Sequence, residues 1–223
     1  MNNYVQKVIS TFRKHGDPNN KQYMKAYLKN KFDFMGIKSP ARRLLSKAFL
    51  SKESLPPVEQ IWPIIYAFWD LPEREFQYFA MELASRYSKL VEKDWINHYE
   101  SLIISKSWWD TVDFIAATLI GHYFKLFPER IKSVTDSWMQ SKNIWLQRTC
   151  LIFQLKYKDE VDTELLSSFI KKLSDSKEFF IAKAIGWSLR EYSKRNPVWV
   201  LDFVQNNALQ PLSKREAIRR INN

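Results

Sequence analysis

The chain is predicted to be all-α and built from repeated helix pairs, on three observations. Only 4 glycines occur in 223 residues, and nearly every segment between Pro or Asn/Asp punctuation carries apolar residues at helical rather than alternating spacing. Similar aromatic segments recur: Phe68-Trp69-Asp70-Leu71-Pro72-Glu73-Arg74, Trp108-Trp109-Asp110-Thr111-Val112-Asp113, Ile144-Trp145-Leu146-Gln147-Arg148 and Phe179-Phe180-Ile181-Ala182-Lys183. Their intervals of about 35 to 40 residues each hold one helix pair, the signature of an α-solenoid of HEAT or armadillo type with a concave face. Finally, no linker or low-complexity stretch divides the chain, so residues 1–223 are expected to form a single domain. At 45% hydrophobic and 15% aromatic they can bury a large core.

The elements follow in order from their start signals. Asp17-Pro18, Ser39-Pro40 and Leu71-Pro72 place proline at or near a first turn, and Ser39, Ser107, Asp136 and Ser213 are expected as N-caps, because a short oxygen-bearing side chain satisfies a free N–H at a helix start. About a dozen helices follow from this punctuation.

Composition narrows the function. Lys and Arg number 35 against 24 Asp and Glu, for a formal charge of +11 and a pI near 9.6, which favours a polyanionic partner, nucleic acid first. Cys150, the only cysteine, lies in the apolar run Thr149-Cys150-Leu151-Ile152-Phe153; it can form no internal disulfide and is expected to pack as a small hydrophobe. His15, His98 and His122 have no second ligand at metal spacing, so no metal and no cofactor are expected. There is also no glycine-rich phosphate loop, nucleophile elbow or Cys with a plausible base, which leaves carboxylates and electrostatics to carry any chemistry. With neither a signal-peptide core nor an apolar stretch of ~18 residues, the chain is expected to be soluble and cytoplasmic, nucleoid-associated, with no membrane contact and no obligate protein partner.

The sharpest pattern is a row of three polar residues, Asp113, Arg148 and Lys183, one repeat apart at 148 − 113 = 35 and 183 − 148 = 35. Equivalent helices of stacked repeats lie side by side, so the three should line one face. Trp109 is four residues before Asp113 and Trp187 four after Lys183, and helix residues four apart share a face. Two readings of Asp113 are open: a partner for Arg148 in an inter-repeat ion pair, or a working carboxylate. In a basic groove the cations would take phosphates and the indoles pack on a deoxyribose. A carboxylate there repels phosphate unless a positive species arises beside it, such as the oxocarbenium-like sugar formed when a base leaves; indole faces attract cations too. Asp113, Trp109 and Trp187 are therefore the catalytic candidates. Lys38, Arg42 and Arg43 at one helix start, and Lys214, Arg215, Arg219 and Arg220 near the chain's end, are candidates for phosphate contacts, each as readable as an ordinary solvated face.

At these residues the chain resembles the AlkD family of HEAT-like-repeat DNA glycosylases. The similarity runs through Gly36-Ile37-Lys38-Ser39-Pro40-Ala41-Arg42-Arg43, Trp69-Asp70-Leu71-Pro72-Glu73-Arg74-Glu75-Phe76-Gln77, Ser107-Trp108-Trp109-Asp110-Thr111-Val112-Asp113, Ile144-Trp145-Leu146-Gln147-Arg148, Ala184-Ile185-Gly186-Trp187-Ser188-Leu189-Arg190-Glu191-Tyr192 and Pro211-Leu212-Ser213-Lys214-Arg215-Glu216-Ala217. The resemblance implies removal of alkylated purines from double-stranded DNA without turning the base into a protein pocket. The expected activity is that of a monofunctional glycosylase on cationic N7- and N3-alkylated purines, and a solenoid with duplex in its concave face can work as a monomer. The resemblance also implies Asp113 as the catalytic carboxylate, Trp109 and Trp187 beside the lesion's sugar, and Arg148 at the phosphate backbone. Lys183, in the 35-residue row, and Arg190 are further candidates for DNA contacts. The alternative on the same fold is a non-catalytic binder of distorted or branched DNA.

Overall fold

The computed structural model describes residues 2–221. Among them the chain is all-α: α1 (Asn3–Lys14), α2 (Pro18–Tyr27), α3 (Ser39–Phe49), α4 (Ile61–Trp69), α5 (Arg74–Ser85), α6 (Trp95–Ile104), α7 (Trp109–Phe114), α8 (Gly121–Leu126), α9 (Ile131–Gln140), α10 (Ile144–Ile152), α11 (Thr163–Leu173), α12 (Phe179–Tyr192), α13 (Pro197–Asn206) and α14 (Pro211–Ile218). The described residues hold no strand, only an isolated bridge between Asp33 and Glu73. The chain divides into two compact units, Met1–Val91 and Glu92–Asn223.

In the first unit α1 packs on α3 and α4, and α4 on α5. Its core is aromatic: Phe12 stacks on Phe76 with centroids 5.8 Å apart, and Phe68 meets Phe79 edge-on at 5.0 Å. The segment between α2 and α3 is held by a buried carboxylate. Glu75 accepts the N–H groups of Gly36 at 2.9 Å, Ile37 at 3.0 Å and Met35 at 3.0 Å. Burial pushes this carboxyl above its ordinary range, and the backbone donors oppose that. Gly36 has φ +94°, and a Cβ there would lie 2.0 Å from the Asp17 carbonyl oxygen, so only glycine fits.

The second unit shows the repeat directly. The continuous run of α7, a π-helical stretch Ile115–Ile120 and α8 packs on α10, α10 on α12, and α12 on α14. Behind them α6 contacts the π stretch and α10, α9 and α11 contact α10, and α13 contacts α12 and α14. Cross-repeat bonds tie the layers: Trp138 Nε1 donates to Glu100 at 2.7 Å, and the Tyr157 hydroxyl to the Gly121 carbonyl at 2.7 Å. Cys150 is buried, and burial raises its thiol pKa, as expected of a core residue.

Several helix starts differ from expectation. Asp17 does cap α2, but Ser39 and Ser107 lie next to the actual N-cap residues, Lys38 and Trp108. Asp136 is inside α9, paired with Lys132 at 2.6 Å, because that helix grows out of the turn Pro128–Arg130. Ser213 is inside α14, which Pro211 opens. The side-chain caps of the second unit are Asn143, Asp162 and Asn196.

Candidate active site

Three helices of one layer carry the row. Trp109 and Asp113 lie on α7, Arg148 on α10, and Lys183, Trp187 and Arg190 on α12. They line one cleft of about 320 Å³ together with Phe179, Phe180 and Glu216. The π-helical stretch begins two residues after Asp113; such stretches are rare and concentrate at functional sites.

Arg148 is buried, and its side chain faces Asp113. Nε lies 2.7 Å from Oδ1 of Asp113 and Nη2 2.9 Å from Oδ2, while Nη1 donates to the Phe180 carbonyl at 2.5 Å. The guanidinium, expected at a phosphate, thus holds both carboxylate oxygens in a bidentate fork. Of the two readings of Asp113 the ion pair is realised, yet the carboxylate is not sealed: 16% of its side chain is exposed, against 5% for Arg148, and both line the cleft. Burial raises the Asp113 carboxyl above its ordinary value, and the hydrogen bonds and charge of Arg148 act against that rise.

Both indoles are half-buried, as lining residues of a cleft should be. Behind the row, at the N-terminal ends of α7, α10 and α12, Trp108, Trp145 and Phe180 pack with centroids 4.9 to 5.6 Å apart. Phe179 meets Phe180 edge-on with centroids 5.4 Å apart, and it lines the cleft with 58% of its surface exposed.

On α12 Lys183 and Arg190 share one carboxylate. Lys183 Nζ is 3.0 Å from Oε1 of Glu216, and Arg190 Nη1 donates to Oε2. Burial works to raise the Glu216 carboxyl, and the two cations outweigh it, holding the group below its usual range. Glu216, Phe179 and Phe180 are the cleft residues that sequence reasoning did not single out. For Glu216 the available signal was its position 216 − 183 = 33 residues beyond Lys183, close to one repeat.

The other expected DNA contacts fall elsewhere. Lys38 and Arg43 are exposed in the first unit. Arg42 is buried there, with Nη1 2.8 Å and Nη2 3.0 Å from the Glu82 carboxylate and its guanidinium over Tyr78; only 6% of its side chain is exposed. Lys214 is half-buried and Arg215 exposed on α14, and neither lines the cleft. Among the described residues no group of three or more His, Cys, Asp or Glu side chains is placed to hold a metal, and no helix is long and apolar enough to cross a membrane.

Fold and cleft together define a helical-repeat protein whose second unit presents a carboxylate among cations and indoles. The chain belongs to the family of DNA alkylation repair enzymes, whose family model matches residues 8–221. It is similar to a solved structure of a predicted DNA alkylation repair enzyme from Enterococcus faecalis, at 34% identity over 92% of this chain and 95% of that one, with a TM-score of 0.85. No curated protein matches the chain. Family membership makes it a DNA-binding enzyme of alkylation repair.

Proposed function

We propose that the protein is a monofunctional DNA glycosylase that hydrolyses the N-glycosidic bond of cationic N7- and N3-alkylated purines in duplex DNA. The observation that carries this reading is the single cleft in which Asp113, partly exposed and held at both oxygens, shares its lining with Trp109, Trp187 and the cations Arg148, Lys183 and Arg190. As the bond from C1′ to the purine breaks, its electron pair leaves with the base and neutralises the base's positive charge. The sugar becomes oxocarbenium-like. Asp113 faces that developing cation and orients the water that adds to C1′, accepting its proton, while Trp109 and Trp187 pack on the sugar and offer their π faces. Lys183 and Arg190 bind the flanking phosphates. Arg148 acts behind Asp113, fixing its direction and keeping it ionised.

The size of the effect selects the substrate. A carboxylate about 4 Å from a full positive charge at an effective dielectric near 20 is worth roughly 4 kcal/mol, about three orders of magnitude in rate. That is modest for an ordinary nucleoside and useful for a purine that is already a cationic leaving group.

The test is incubation with duplex DNA carrying 7-methylguanine, following free base by chromatography, beside Asp113→Asn. Release by the parent and its loss in the variant support the reading. Tight, salt-sensitive duplex binding with no release would replace it with a binder of distorted DNA.

A further inference from the structure

Glu216 is a negative charge in a cleft that, on the reading above, receives a polyanion. It is fixed by architecture. A Cβ on Gly186 would lie 2.5 Å from Glu216 Cβ and 3.0 Å from the Ser213 carbonyl oxygen, so α14 seats on α12 only because residue 186 is glycine. The buried Ser213 hydroxyl, donating to the Ala182 carbonyl at 2.9 Å, pins the same contact. Glu216 then meets Lys183 and Arg190, which lie seven residues apart on one face of α12 with Trp187 between them. Beyond Trp187 and Arg190 a second recess, of about 400 Å³, is lined by Glu191, Lys194, Arg219 and Arg220.

We propose that Glu216 is a positioning residue: it holds Lys183 and Arg190 at a set spacing on either side of Trp187, so that the phosphates they bind place the lesion's C1′ against Asp113. Each cation keeps N–H groups that Glu216 does not use, three on a Lys ammonium and five on an Arg guanidinium being available in all. The clamp is therefore occupied on one side and open on the other. The inference rests on the glycosylase reading of the cleft.

Charge counting and positioning predict different things for Glu216→Gln. Removing a negative charge from an anion-binding cleft should leave duplex affinity equal or tighter. Releasing the two cations should cost turnover, because phosphates are then held in several registers and misplacement near the reacting atoms is expensive. The experiment is single-turnover release of 7-methylguanine at saturating enzyme, with the dissociation constant for the same duplex measured separately. The expected result is an affinity equal to or tighter than the parent's with a maximal rate at least tenfold lower. Glu216→Asp, which keeps the charge and is one methylene too short to reach both cations, should fall between parent and Gln, and it serves if Gln does not fold. A maximal rate within twofold of the parent in the folded variants overturns the proposal. Absence of release by the parent itself would instead overturn the glycosylase reading.

Discussion

Arg148 holds both oxygens of Asp113 and is the more buried of the pair; the glycosylase reading places the sugar cation on the carboxylate's side. For a sugar cation about 4 Å from the carboxylate and about 8 Å from the guanidinium, the two interactions at a dielectric near 20 are roughly −4 and +2 kcal/mol, a net attraction of about 2. Asp113→Asn removes the first and keeps the second, so the cation goes from about 2 kcal/mol of attraction to about 2 of repulsion, a loss near a thousandfold. Asp113→Asn with Arg148→Met removes both and costs only about 2 kcal/mol, near thirtyfold. The double variant should therefore excise faster than the single one. It should also be the more stable of the two, since a buried guanidinium deprived of its carboxylate costs about 3–5 kcal/mol. Single-turnover release of 7-methylguanine and thermal melting of the two variants beside the parent provide the assay. A double variant as slow as Asp113→Asn, or slower, would refute the electrostatic reasoning.

Other consequences follow from the same geometry. Asp113 works as an anion and burial raises its pKa above the ordinary carboxyl value, so activity should fall with acid through a pH above the usual carboxylate range. Arg148→Met should move this limb further up, and a pH–rate profile measures it. Arg42→Met should lower the melting temperature and leave the salt dependence of duplex binding unchanged, whereas Arg43→Met and Lys38→Met should each reduce the slope of log K against log salt by about one phosphate's worth. Gly186→Ala forces a methyl against Glu216 and should destabilise by about 1–3 kcal/mol, with turnover falling as α14 shifts; denaturant unfolding gives the first and base release the second.

The 35-residue spacing of Asp113, Arg148 and Lys183 was readable because it reports only which helices stand side by side, and helix period and repeat length determine that. Side-chain direction is different. Whether Arg148 points toward a phosphate or back at Asp113 depends on its χ angles and on the Phe180 carbonyl that captures its third nitrogen, and spacing carries no such information. Glu216 was hidden for a related reason: its contact with Lys183 and Arg190 exists because Gly186 and Ser213 let α14 approach α12. Arg42 and Arg43 show the limit of reading charge from sequence. The two are adjacent, one is buried on Glu82, and the other is exposed. Of the expected caps, Asp136 and Ser213 fell inside helices because a preceding turn and a proline, respectively, had already begun them.

The most direct measurement is the time course of free 7-methylguanine released from duplex DNA at neutral pH by the parent protein, with the product strand analysed before and after alkali. The account predicts free base, an abasic strand that stays intact until alkali is added, and no covalent adduct trapped by borohydride through Lys183. Base retained in the duplex, or strand cleavage with a trapped adduct, would contradict a carboxylate-centred monofunctional glycosylase.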